Sequence, residues 1–572
     1  MGFGRTRRIT VCILGAVLLV AAGCGRTLHN TFEANDTLQA RTQPQRLTDT
    51  GETVLQKLLD AGELPDLEQP NFSEYQIQVR TFYDNLGRAL AWIQQGKPTP
   101  QALAIVRALR GAEFEGLKAE DYDGSRWDER LAQIDQSLML EPALIRFDVA
   151  LTVCIMRYIS DLHLGRVNPP QFHYDLEIEH TIFNLSDFLR QKLVDSPNVD
   201  SALESAEPPF PLYRRTKAAL RTYLELAQRD EGGRLPTPVK TVKPGDSYAG
   251  VPRLAQLLAL VGDIASERQR TDNLYLGDLV AGVKHFQLRH GIEPSGAIDA
   301  ATLKQLNTRL TSRVDQLVLT MERLRWLPHE FGRPPVVVNI PEFRLRADDE
   351  QYHWALSMNV VVGKAYGHHQ TPVFASEIKS VIFRPYWNVP ESITRAELLP
   401  HIRKDPRYLM DNDYEIVDRS ETIVSEGIVN PEIESQLRTG ELRVRQKPGP
   451  KNALGLIKFD IPGSYDVYLH STPAPELFSK SRRDFSHGCI RVEKPVALAD
   501  WVFQGMPAWT EERIRAAING DQTFGVKLDR PVPVLIVYGT AVVMENGEVH
   551  FLDDIYRYDA DLERALAAAP SD

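Results

Sequence analysis

Apolar positions recur at spacings of three and four through the first half of the chain and alternate through much of the second. Val54, Leu55, Leu58 and Leu59, then Tyr83, Leu86, Leu90, Ala91 and Ile93, each form one stripe when wound on a helix. Pro98-Thr99-Pro100 breaks the chain before Ala102, Ile105, Val106 and Leu109 resume the pattern. Asp148 to Leu164 is mostly apolar and is the expected central helix. Beyond a proline-containing linker from Leu235 to Pro244, a helix begins at Val251-Leu254-Leu257-Leu258. A second follows at Leu279-Val283-Phe286-Gln287, and a third is capped by Asp299 and runs to Asn307. From Pro334 the period changes to two: Val336 to Ile340, Arg344 to Arg346, His353 to Leu356 and Ser357 to Val362 are expected strands. Val381 to Phe383, Leu456 to Phe459, Val467 to His470 and Val534 to Tyr538 follow, with a hairpin from Ala541-Met544 to Val549-Phe551 across Asn546-Gly547. Charged, helix-patterned sequence from about 393 to 446 interrupts these strands.

Composition narrows the class of molecule. A chain of 572 residues is long enough for two to four domains with a large core. Its formal net charge of −11 gives no reason to expect nucleic acid as a partner. Arg5, Arg7 and Arg8 precede an apolar run from Ile9 to Ala22 that is shorter than the ~20 residues of a bilayer span, the pattern of a secretory signal. Four cysteines occur, Cys12 and Cys24 near the start, Cys154 in the apolar helical stretch and Cys489 far downstream, which gives no disulfide framework.

Cys489 is the candidate for chemistry. Tyr468-Leu469-His470-Ser471-Thr472 is followed by Phe485-Ser486-His487-Gly488-Cys489-Ile490-Arg491-Val492. A free thiol is mostly protonated at neutral pH, so a nucleophilic cysteine needs a base or a cation beside it, and His487 can supply the base. If Ser486 to Val492 is extended, His487, Cys489 and Arg491 share one face. Gly488, with no side chain, lets a carbonyl approach the sulfur. A lone His-x-Cys is more often a buried cysteine beside a core histidine, and it is the flanking sequence that changes the balance here.

With His470 upstream of Ser486-His487-Gly488-Cys489, the region resembles the L,D-transpeptidase (YkuD-type) catalytic domain. Arg491, where most of that family has asparagine, is similar to the YcbB-like group that also carries a helical scaffold. Val360 to Lys364 leading to Thr371-Pro372-Val373-Phe374, Arg384 to Pro390, and Gly449 to Gly455 fit the same resemblance. Leu117 to Tyr122 and Asp161 to Arg166 resemble that group's scaffold domain, in which Tyr83 and Trp92 read as core rather than sugar-stacking platforms. The run Val283-Lys284-His285-Phe286-Gln287 through Gly291, Gly296, Ile298, Asp299 and Thr302 resembles the three-helix peptidoglycan-binding domain; His285 and His290, five apart, do not form a metal pair. Ala21-Ala22-Gly23-Cys24 looks like a bacterial lipobox, with lipid attachment at Cys24. The expected fold is multidomain α+β. It comprises a lipoprotein-type signal peptide (1–23), a flexible linker (24–50), a helical scaffold (51–235), a peptidoglycan-binding domain (245–310) and a mainly-β catalytic domain (320–560) with an inserted helical lid at about 393–446.

The resemblance implies peptidoglycan, through its tetrapeptide donor and acceptor stems, as the substrate. It implies Cys489 as the nucleophile and His487 as the base, with Ser486 or a backbone carbonyl orienting the imidazole. His470 is expected to shape the pocket or contact substrate. Arg491 is expected to lower the thiol pKa or to bind the stem carboxylate, and Tyr386, Trp387 and Asn388 to line the groove. No metal or organic cofactor is expected, membrane contact would come through the N-terminal lipid, and the location would be the periplasm, at the outer membrane. The acceptor decides between a 3→3 cross-linking transpeptidase and a carboxypeptidase. An NlpC-type peptidase has cysteine before histidine, the reverse of the order here, and a non-catalytic wall tether would need a degenerate motif.

Overall fold

The computed structural model describes residues 45–136, 140–172, 174–175, 183–265, 272–463 and 465–568. The expected signal peptide, the lipid-bearing Cys24 and most of the 24–50 linker lie outside them. No helix among the described residues is long and apolar enough to cross a membrane.

The scaffold is built around α1 (Glu141–Leu164), which is buried on nearly all sides. Its Asp148 explains the one scaffold helix that the spacing misjudged. The helical pattern at Tyr83–Ile93 is broken after Asn85, where Gly87 and Arg88 take positive φ. The Asp148 carboxylate then accepts the N–H groups of Ala91 and Trp92 at 3.1 and 2.7 Å, and the Tyr83 hydroxyl at 2.7 Å. A buried carboxylate offering this many acceptor positions competes successfully with the next helical turn. Tyr83 and Trp92 are fully buried in this core. Cys154 lies there too, its thiol pushed up by burial.

The next long helix, α2 (Pro211–Arg229), falls within the range expected for the scaffold but packs into the core of the C-terminal half. Three helices, α3 (Val251–Leu260), α4 (Asp278–Arg289) and α5 (Ala300–Leu306), enclose a small core of their own, and Asp299 caps α5 by accepting Thr302 N–H at 2.8 Å. His285 and His290 are engaged separately, His285 with Asp263 and Glu548, His290 with the Phe286 carbonyl. Helix α6 (Leu310–Arg325) ties the halves together. Its buried Glu322 accepts the N–H groups of Arg166 and Val167 in the scaffold, and its buried Arg325 bonds the Tyr213 hydroxyl and the Glu115 carbonyl. Buried charges persist in such a place only because each is paired and hydrogen-bonded.

The C-terminal half is a sheet that closes on itself. In chain order its strands are β1 (Val336–Asn339), β2 (Arg344–Asp348), β3 (Trp354–Gly363) and β4 (Val373–Phe383), then β5 (Ile457–Asp460), β6 (Leu469–His470), β7 (Asp484–Ser486), β8 (Ile490–Val492) and β9 (Phe524–Val537). The order is β5-β6-β8-β3-β2-β1-β9-β4, and β5 pairs again with β4, so neither edge of this ring is left open. The scaffold adds the two-residue strand Tyr174–Asp175 alongside Val373 and Phe374 of β4. The expected pairs 353–356 and 357–362 are one continuous strand, β3.

The insertion after β4 is a small module with its own sheet as well as helices, rather than a helical lid. Trp387–Asn388 pairs with Arg443–Gln446, which pairs with Tyr414–Val417, and Ile423–Ser425 forms the edge. Leu398, Leu399, Ile402, Leu409, Ile416, Leu437 and Val444 make a separate core beneath it. At its neck, Asn452 Nδ2 donates to the carbonyls of Pro385 and Lys447 at 3.1 and 3.0 Å, joining the strands that enter and leave.

Candidate active site

Cys489 sits on a bend. β7 runs parallel to β3, with Ser486 opposite Gly363, and β8 runs antiparallel to the same strand, with Arg491 opposite Val361. The chain therefore reverses between Ser486 and Ile490 over the end of β3, and the continuous extended segment expected from Ser486 to Val492 does not form. Gly488, at φ 123°, makes the reversal possible. A Cβ at that position would make only ordinary contacts, at 3.9 and 4.0 Å, so it is the backbone angle more than space that demands glycine.

Hydroxyls fix this bend. Ser486 Oγ accepts the Gly488 N–H at 3.1 Å and donates to the Cys489 carbonyl at 2.5 Å. Ser486 therefore braces the turn, and the expected orienting bond to the imidazole is not the one it makes. The buried Thr371 hydroxyl donates to the Gly488 carbonyl at 2.7 Å and accepts the Gly363 N–H at 2.9 Å. Tyr556, beyond the motif blocks, donates to the Gly363 carbonyl at 2.7 Å and accepts Thr371 N–H at 3.1 Å.

The thiol is free and partly exposed. Burial pushes its pKa up, while hydrogen bonds from the Tyr468 main chain and hydroxyl, and the charge of Lys458, pull it back. Its sulfur also faces the Asp466 carbonyl at 3.7 Å. Among the described residues no hydrogen bond joins the His487 ring to this sulfur. His487 Nε2 instead meets Glu397 Oε1 of the insertion at 2.5 Å, and His369 lies edge-on to the ring at 4.7 Å. His470 is buried on β6 between Lys458 and Arg491 of the flanking strands. Its Nδ1 meets the Ser471 carbonyl at 2.6 Å. Burial, then the charge of Arg491, push its pKa down to about 3, so the imidazole is neutral. Arg491 itself is pushed down by burial and pulled back by the charges of Cys489 and Glu476; its Nε is buried without a hydrogen-bond partner.

The three expected groove residues differ in position. Tyr386 is exposed with the Arg445 guanidinium 4.3 Å above its ring. Trp387 reaches the Tyr468 hydroxyl and so touches the thiol's surroundings through it. Asn388 is exposed on the insertion's sheet, opposite Arg445. Glu397, the closest charged group to His487, carried no signal in the sequence, being one acid in a charged run. His369 was equally unmarked, since only the fold brings the 364–372 loop to the bend. No group of three or more His, Cys, Asp or Glu side chains among the described residues is arranged to hold a metal ion.

Two family profiles match the chain: the scaffold domain over residues 77–220 and the L,D-transpeptidase catalytic domain, YkuD, over residues 334–510. A Haemophilus influenzae protein named "Putative L,D-transpeptidase" is 34% identical over 255 residues, 44% of this chain and 49% of that protein. The chain thus spans about half the length of the curated relative it matches. With the bend that presents Cys489 inside the matched region, the chain carries a YkuD-type L,D-transpeptidase catalytic domain together with a scaffold domain.

Proposed function

We propose that this protein is an exported L,D-transpeptidase of peptidoglycan. Cys489 attacks the carbonyl between the third residue of a tetrapeptide stem, an L-centre of diaminopimelate or lysine, and its terminal D-alanine. That C–N bond breaks, D-alanine leaves with the proton, and a thioester remains. A side-chain amine of a second stem then displaces the sulfur and forms a 3→3 cross-link. The observation that carries this reading is the free, partly exposed thiol held on a hydroxyl-braced bend, with His487 and Arg491 each two residues from it and His470 opposite Arg491 on the neighbouring strand. A thiol whose pKa burial raises needs a base at the moment of attack.

His487 is the base in this reading, because a carboxylate at its Nε2 would stabilise the imidazolium formed when the ring takes the thiol proton. His470 is a second reading for the same role, favoured by its neutral state and by the carbonyl that fixes its ring. Arg491, with an unpartnered Nε, suits the stem carboxylate. The three-helix unit is read as a peptidoglycan-binding domain and Cys24 as the lipid anchor that holds the enzyme at the outer membrane.

The test is to incubate the soluble mature protein with tetrapeptide muropeptides and follow products by mass, beside Cys489→Ala and the two single histidine-to-alanine variants. D-alanine release with 3→3 dimers, abolished in Cys489→Ala, is the expected result, and the histidine whose loss matches that of the cysteine is the base. Release without dimers would make the protein a carboxypeptidase. No conversion by the unmodified protein, with binding to sacculi retained, would leave a wall tether.

A further inference from the structure

We propose that Glu397, on the inserted module, is the recognition residue for the acceptor ammonium and so decides between cross-linking and hydrolysis; this rests on the transpeptidase reading above. Glu397 lies in a π-helical turn, Thr394–Leu398, inside the helical run that starts at Glu391. The extra residue of a π turn rotates side chains out of helical register. Here Thr394, Leu398 and Leu399 are buried in the module, and Glu397 is turned towards the catalytic bend. Its Oε1 is 2.5 Å from His487 Nε2, two residues from the sulfur that would carry the thioester. Five of the module's seven other glutamates meet its own cations: Glu391 with Arg395, Glu415 and Glu421 with Arg445, Glu426 with Lys447, Glu434 with Arg403. Among the described residues no lysine or arginine pairs with Glu397. A partly exposed carboxylate that the protein leaves without a permanent cation, beside a proton acceptor and the acyl-bearing sulfur, fits a primary ammonium on an incoming stem.

The proton balance is consistent with this placement. An ammonium that becomes an amide nitrogen loses two protons. One passes through His487 to the sulfur as the C–S bond breaks, and the other leaves to solvent as the C–N bond forms. Water, which has no charge to recognise, gains nothing from Glu397.

The experiment uses the full chain with disaccharide-tetrapeptide as donor and acceptor, and reads dimers formed per D-alanine released. Glu397→Gln is expected to lower that ratio by about tenfold or more, the loss expected of one charge-assisted contact, with the acceptor KM raised. Glu397→Asp is expected to recover part of it. An unchanged ratio in Glu397→Gln, whatever happens to D-alanine release, overturns the assignment and leaves Glu397 as a positioning residue for His487. Absence of D-alanine release by the unmodified protein overturns the transpeptidase reading and this inference with it.

Discussion

Thr371 carries more of the active-site geometry than its distance from the motif suggests. One buried hydroxyl bridges the Gly363 N–H at the end of β3 to the Gly488 carbonyl beside Cys489. Thr371→Val keeps the shape and removes both bonds, leaving two buried main-chain groups unpaired, each costing about 1–3 kcal/mol. The expected outcome is a lower unfolding midpoint together with a changed rate of Cys489 alkylation by iodoacetamide; a variant identical to the parent in both would show that the bend is held without the Thr371 hydroxyl. Gly363 belongs to the same detail, since a Cβ there would lie 1.9 Å from the His369 carbonyl. That close approach is what brings the loop bearing His369 against His487.

Among elements, the inserted module has the strongest claim to movement as a unit. Its core is separate from that of the sheet below, and its two connecting strands are joined through Asn452. The Asn452 side chain is buried, and its Oδ1 also accepts Leu454 N–H at 2.8 Å. Asn452→Ala is expected to loosen the neck more than the module. Limited proteolysis should then cut first between 447 and 453, with the global midpoint lowered by an amount corresponding to about 2 kcal/mol, the cost of leaving such groups unpaired. Cleavage no faster than in the parent would mean that the neck is held elsewhere.

Across the whole molecule, the junction between scaffold and catalytic half contains ionisable groups whose burial makes stability depend on pH. His163 of α1 and His329, just beyond α6, meet edge-on at 4.3 Å. Burial, then the charge of His163, push His329 down to about 4, against about 6.5 when unfolded. Between these values the unfolded chain holds a proton that the folded one does not, so the contribution is complete above about pH 6.5 and is lost as pH falls towards 4. Asp161 and Asp348, raised by burial to about 7, act in the opposite direction: the stability they give is lost as pH rises through 7. Total stability therefore mixes the two. Comparing the parent with His329→Gln isolates one. As pH is lowered from 7.5 to 4.5, the parent is expected to lose about 1–2 kcal/mol relative to the variant, less than the whole shift implies because the ring is partly exposed. Parallel melting-temperature curves would overturn this.

The sequence alone marked the candidate site and most of the elements. Val336 to Val362 and Val534 to Tyr538 read as strands because alternation is a local property, and the candidate site was legible because His470, Ser486, His487, Gly488 and Cys489 stand in one short stretch. The same local reasoning failed where a distant group intervened. Asp148 captured the N–H groups that would have extended the helix at Tyr83, and β3 served as the template that folds Ser486 to Val492 back on itself. The closure of the sheet through β5, the sheet inside the insertion and the assignment of α2 to the catalytic core are all contacts between segments far apart in the chain. So is the meeting of Glu397 with His487, ninety residues apart in sequence. A side chain's period and type are written in its neighbours along the chain, whereas its partner across space is fixed only when the whole core has packed.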